Sequence, residues 1–215
     1  MIKEMVGNGL IKLDITKTDQ VQDGCVTASA RAFLSHLGVN FDNNFLPQLQ
    51  EYTLDPDNPE NNHMLGVAVV AAELGFSVRV HTRDELSISR ELPANAPELA
   101  KRIHPEIIDK LYALKEEDRI ELTSGSLSLL ELDSLISSEL ENGKYVMVIL
   151  NWDMWNKEAQ KKFGNPRHIV TIFGHHMDSV YVLDPSVDEE YITSKVSTLY
   201  NALVDSHQII SIGNN

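Results

Sequence analysis

The sequence predicts an α+β domain, with helices leading and a mainly antiparallel sheet following. Two observations carry this. Helical periodicity dominates the first part of the chain, and β-preferring runs crowd the last part, at 145–150, 169–173, 180–183 and 208–212. The 215 residues show no internal repeat, no low-complexity tract and no strong boundary, so 1–215 reads as one domain with an insertion at 84–126.

Each element has a local reason. Residues 10–15 alternate and read as an edge strand or a lead-in, after a turn at Gly7-Asn8-Gly9. That turn is not a phosphate loop, because no strand precedes it and no helix opens from it. In DQVQDGCVTASARAFLSHLG, residues 19–38, Ala28, Ala32, Leu34 and Leu37 fall at helical spacing and Gly38 is placed to end the helix. Residues 40–54 are mixed. The DPDNPENN stretch at 55–62 is a loop, without the glycine and closing glutamate of a calcium-binding EF-hand. Residues 64–74 form an alanine-rich helix ended by Gly75, and 76–81 alternate as a half-buried strand.

In the insertion, Pro93, Pro97 and Pro105 punctuate the chain, 107–114 is helical, and 115–119 is a charged exposed stretch. Residues 128–142 present Leu129, Leu132, Leu135, Ile136 and Leu140 on one helical face, ended by Gly143. The run at 145–150 suits a central strand buried on both faces. An aromatic, polar stretch with Trp152 and Trp155 follows; these rings either line a groove or pack over the sheet edge. Residues 169–173 and 180–183 form a hairpin around a polar turn at 175–179. Residues 193–203 are helical in pattern, and 208–212 return as a last strand.

Composition narrows the function. A net charge of −14 repels phosphate backbones and anionic membranes, so neither nucleic acid nor a membrane surface is an expected partner. No apolar run approaches the roughly 20 residues that span a bilayer, and 1–17 lack a signal-peptide core, which points to the cytoplasm. One cysteine excludes an intramolecular disulfide and a cysteine-rich zinc site. His175-His176 with Asp178 suit a solvated turn better than a metal site. No cofactor is expected.

That cysteine, Cys25, sits at or near a helix N-terminus, where unpaired N–H groups and the helix dipole favour a negative sulfur. The alternative is a cysteine packed as a small hydrophobe. His168 starts one hairpin strand and Asp184 ends the other, so antiparallel pairing brings the two together. A carboxylate that orients an imidazole, and an imidazole that takes a thiol proton, are the parts of a cysteine nucleophile's site.

A glutamine followed by a cysteine on a helix, the helix-then-strand unit SLLELDSLISSELENGKYVMVIL, and HIVTIFG…VYVLDP resemble the C39-like branch of the papain-like cysteine peptidases. The resemblance covers nearly the whole chain, with no counterpart for 84–126. It departs at Val26, where glycine or tryptophan is usual, and at Gly24, a glycine before the cysteine instead. It implies a papain-like fold, with N-terminal helices on the sheet. It also implies Cys25 as nucleophile, His168 as general base, Asp184 as its orienting residue, and Gln20 or Gln22, Gln20 by spacing, in the oxyanion hole with the Cys25 N–H. The activity so implied is hydrolysis of a peptide or isopeptide amide in a peptide or protein substrate. A deamidase or acyltransferase using the same thioester, and a non-catalytic binding module on this frame, are the alternatives.

Overall fold

A computed structural model describes residues 10–17, 20–41, 45–53, 63–83, 105–156, 167–203 and 208–215, with the backbone alone at 20–23, 46, 48 and 105. The readings at Gly7-Asn8-Gly9, 55–62 and 84–104 lie outside these residues. The architecture is α+β, with helices packed on a mainly antiparallel sheet.

Helices come first: α1 (Gln20–His36), α2 (Phe45–Thr53) and α3 (Met64–Glu73). The mixed stretch at 40–54 thus contains a helix, and Pro47 is tolerated because it falls in the first turn, where no intrahelical N–H is needed. The alanines and valines of α3 bury it from Met64 to Ala72. Ser77–Thr82 forms β2 directly after it.

Within 84–126, Pro105–Glu116 is α4 and Ile120–Ser124 is β3. No strand is expected here from the sequence. Ile120 is buried and β3 pairs with β2, the one parallel pairing among the described strands. A parallel neighbour needs a crossover, and α4 supplies it.

Leu129–Glu141 is α5, with Ser128 as N-cap in a capping box with Glu131. It leads into β4 (Tyr145–Asn151), buried from Tyr145 to Leu150. A one-turn helix α6 (Trp152–Trp155) follows, capped by Asn151, whose side-chain oxygen accepts from the Asp153 N–H at 2.9 Å. The hairpin strands are β5 (Arg167–His176) and β6 (Ser179–Leu183). Its turn is therefore shorter than the expected 175–179: His175 and His176 stay in the strand, because β5 keeps partners there in β6 and in β1 (Ile11–Lys12).

Residues 193–203 divide between a strand and a helix. Ile192–Lys195 pairs with β6 as β7, its residues alternating in exposure, and the helix α7 is confined to Val196–Ala202. Ile209–Gly213 is β8. The order across the sheet is β3-β2-β8-β4-β5-β6-β7, with β1 on β5 beyond the end of β4. The late strands β4, β5 and β8 hold its centre, which is why their sequences are almost uniformly apolar.

A charged group on α5 is also buried here. Glu139 of α5 is buried between Arg79 of β2, Lys144 and the Ser211 hydroxyl of β8, which donates to it at 2.6 Å. It ties the helix to two strands with its charge compensated.

Candidate active site

Three strand ends converge at one end of this sheet. There β4 ends at Asn151, β5 begins at Arg167, and β6 ends at Leu183. The register sets Leu150 opposite His168 and Thr171 opposite Leu183.

The helix carrying Cys25 is broken one residue before it. Gly24 has φ 71° and ψ 166°, a backbone conformation open almost only to glycine, so the continuous helix starts at Cys25. The glycine that stands before the cysteine is therefore what makes Cys25 a helix-start residue, where free N–H groups favour an anion. From there Val26, Ala30, Phe33 and Leu34 enter the core. Ser29, one turn after Cys25 and on the same face, donates its hydroxyl to the Ile169 carbonyl at 3.3 Å. That bond fixes α1 beside the residue next to His168. Cys25 itself is partly exposed.

His168 is fully buried. Its Nε2–H donates to Asp184 Oδ1 at 2.6 Å, and the Trp152 ring stacks on the imidazole with centroids 4.3 Å apart and planes at 23°. Nδ1 is buried with no hydrogen bond of ordinary length. Burial alone would lower the pKa of the ring. The hydrogen bond to Asp184, the interaction with the Cys25 side chain, and the charges of both outweigh it and raise it to about 9.

Asp184 reaches the ring through an irregularity in the hairpin. Near the turn, His176 pairs with Ser179, His175 with Val180 and Gly174 with Tyr181; beyond Phe173 the register moves to Ile172 with Val182 and Thr171 with Leu183. Phe173 is thus an extra residue on β5, a β-bulge. Continued one step past the end of β6, this register sets Asp184 on the side of Val170. Cross-strand partners share a face, and Val170 shares its face with His168. Without the extra residue Thr171 would oppose Asp184, and the carboxylate would emerge on the other face.

The carboxylate is then held from several sides. Oδ1 accepts from the Ser186 N–H at 2.9 Å and its hydroxyl at 2.5 Å, as well as from His168; Oδ2 accepts from Trp155 Nε1–H at 3.0 Å. Burial pushes the Asp184 carboxyl up, but His168 and Ser186 together hold it below the usual carboxylate range.

The structure therefore brings Cys25, His168 and Asp184 into one neighbourhood. Gln20 and Gln22 stand in the turn before Gly24, and their side chains lie outside the described residues. Sequence reasoning left Trp152 and Trp155 between two uses and gave Ser186 none; all three position the pair. The signal for Ser186 was its place two residues after an aspartate, where serine closes a turn on the carboxylate. His175 and Asp178 take separate partners, Asp133 at 2.8 Å and Lys195 at 2.6 Å, and among the described residues no group of His, Cys, Asp or Glu suits a metal ion.

No protein-family model and no curated protein matches the sequence. Among solved structures, the chain is similar to the peptidase domain of Streptococcus ComA, a bifunctional ABC transporter involved in a quorum-sensing pathway. The TM-score is 0.47 at 12% identity, over 94% of this chain and 98% of that one. It is also similar to a Bacillus anthracis protein assigned as a C39-like peptidase, with a TM-score of 0.45 at 14% identity, over 94% and 99% of the two chains. Among the described residues no helix is long and apolar enough to cross a membrane.

Proposed function

We propose that the protein is a cysteine hydrolase that cleaves a peptide or isopeptide amide through a thioester acyl-enzyme. The observation that carries this reading is the buried His168, bound to Asp184 through Nε2 with Nδ1 unpaired, beside a helix whose Ser29, one turn after Cys25, bonds the Ile169 carbonyl.

The Cys25 sulfur, as thiolate, attacks the substrate carbonyl carbon. The resulting oxyanion is held by the Cys25 N–H and the Gln20 side-chain amide. The tetrahedral intermediate collapses with loss of the amine, which takes its proton from His168 Nδ1, and a thioester remains on Cys25. Neutral His168 then removes a proton from water as it attacks the thioester. Collapse releases the carboxylic acid, and the sulfur and imidazolium are restored. Asp184 keeps the ring in the orientation that presents Nδ1 and stabilises its charged form. Ser186 and Trp155 keep Asp184 in place.

The substrate in this reading is a peptide or protein, the protein acts as a single soluble domain in the cytoplasm, and no cofactor enters the reaction. Incubation with a peptide mixture, followed by mass spectrometry, tests it. New amine and carboxyl termini that vanish in Cys25→Ala support hydrolysis. Cleavage that persists in Cys25→Ala would remove the proposal. Conversion of glutamine side chains to glutamate, or amine adducts, in place of cleavage would assign the same thioester to a deamidase or an acyltransferase.

A further inference from the structure

Phe173 is an extra residue on β5, so its backbone has no counterpart on β6. Its carbonyl nevertheless has a partner: the Leu13 N–H donates to it at 2.7 Å. Leu13 follows directly on β1, which pairs Ile11 with His175 and Lys12 with Gly174. The N-terminal strand thus covers the stretch of β5 that contains the bulge. The neighbouring strand β4 has already ended its pairing at Ile172.

The side chains repeat the arrangement. The Lys12 ammonium lies over three rings, 4.3 Å from the Tyr191 centroid, 5.4 Å from Tyr181 and 5.6 Å from Phe173. The rings contact one another, Phe173 and Tyr181 each 5.8 Å from Tyr191. A cation over three aromatic faces is drawn by the charge distribution of each ring. Phe173 is therefore gripped twice, at its carbonyl by Leu13 and at its ring by Lys12. Gly174 admits this closeness, since a Cβ there would meet the Ile11 carbonyl oxygen and the Tyr181 ring at 3.0 Å.

We propose that residues 11–13 are a positioning strap for the catalytic pair: by holding the bulge at Phe173 they fix the register that sets Asp184 on the face of His168. Lys12 and Leu13 touch neither the sulfur nor the imidazole in this role and act through Phe173. The inference rests on the Cys25–His168–Asp184 reading of the site.

The test is the rate at which iodoacetamide alkylates Cys25 at about pH 6, relative to its rate at about pH 10, where an ordinary thiol is ionised. The full chain is compared with His168→Ala, Lys12→Met, Lys12→Arg and Leu13→Pro, and folding is followed by near-UV circular dichroism. In the strap's absence Asp184 no longer holds His168 in line. Lys12→Met and Leu13→Pro then lose about tenfold to a hundredfold of the pH 6 rate, the scale of a small misplacement of reacting groups. The pH 10 rate and the folded signal remain, and Lys12→Arg, which keeps a cation over the rings, labels as the natural chain does. Should Leu13→Pro fail to fold, the Lys12 pair decides. Labelling of Lys12→Met equal to the natural chain, with His168→Ala slowed, overturns the strap alone. Equal labelling of the natural chain and His168→Ala removes the Cys25–His168 reading and the strap's role with it.

Discussion

His168 and Asp184 share one face of the sheet because Phe173 adds a residue to the strand between His168 and the hairpin turn. The 2.6 Å bond between them depends on this count as well as on the two side chains. Deleting Phe173 restores the plain register and turns Asp184 away from the ring. Hydrolysis is then expected to fall as far as in Asp184→Ala. Phe173→Leu keeps the count but removes the ring under Lys12, and is expected to fall between the natural chain and the deletion in activity while losing about 1 kcal/mol of stability in a denaturant titration. Steady-state rates of the three variants, measured side by side, check the ordering.

Gly24 is the second backbone position on which the site depends. At φ 71° and ψ 166° a side chain is strained, and Gly24→Ala is expected to cost about 1–3 kcal/mol of stability. The helix start also shifts, so alkylation of Cys25 slows even where the variant remains folded. Thermal unfolding and thiol labelling on one preparation measure both effects.

The carboxylate and the imidazole depend on pH with opposite signs. Asp184 has a lowered pKa, so its contribution to stability is complete above its ordinary 3.8 and is lost as the pH falls through the depressed folded value. Ser186→Ala removes one donor to Oδ1, which raises the Asp184 pKa and moves the acid loss of stability to higher pH. The lost bond to a charged group costs about 1.5–3 kcal/mol near neutrality. His168 has a raised pKa, so its contribution is complete below 6.5 and disappears as the pH rises through about 9. Denaturant midpoints from acid to alkaline pH, for the natural chain, Ser186→Ala and His168→Gln, check both limbs.

Glu139 supplies a contrast far from the chemistry. Glu139→Ala leaves Lys144 and the buried Ser211 hydroxyl without their acceptor while Arg79 keeps Glu121, and the loss costs about 1–3 kcal/mol. Activity per folded molecule is expected to stay unchanged. Unfolding curves and active-site titration with an irreversible thiol reagent separate the two quantities.

Much of the architecture was legible because periodicity and punctuation agreed. The capped α5, the apolar β4 and the alanine-rich α3 announce themselves in this way. The strand β3 did not, because its short run gains its meaning only from pairing with β2, far away in sequence. Residues 193–195 continue a helical pattern in the sequence for the same reason: their strand exists by pairing with β6. The site shows the same division. Residue type and order pointed to Cys25, His168 and Asp184. A hairpin alone implied that the last two are near each other, but not that they share a face, since that parity rests on a bulge, and its sign in the sequence, Gly174 inside the strand run, does not fix the register. The stacking of Trp152 on His168 depends likewise on the turn that α6 makes after β4.

The central claim is that the Cys25 sulfur and the His168 imidazole act on each other. Nitrogen-15 NMR of the His168 ring across pH, in the natural chain and in Cys25→Ala, measures this directly. The account predicts a protonation midpoint near 9 in the natural chain and a lower one once the sulfur is removed. The same midpoint in both chains would contradict it.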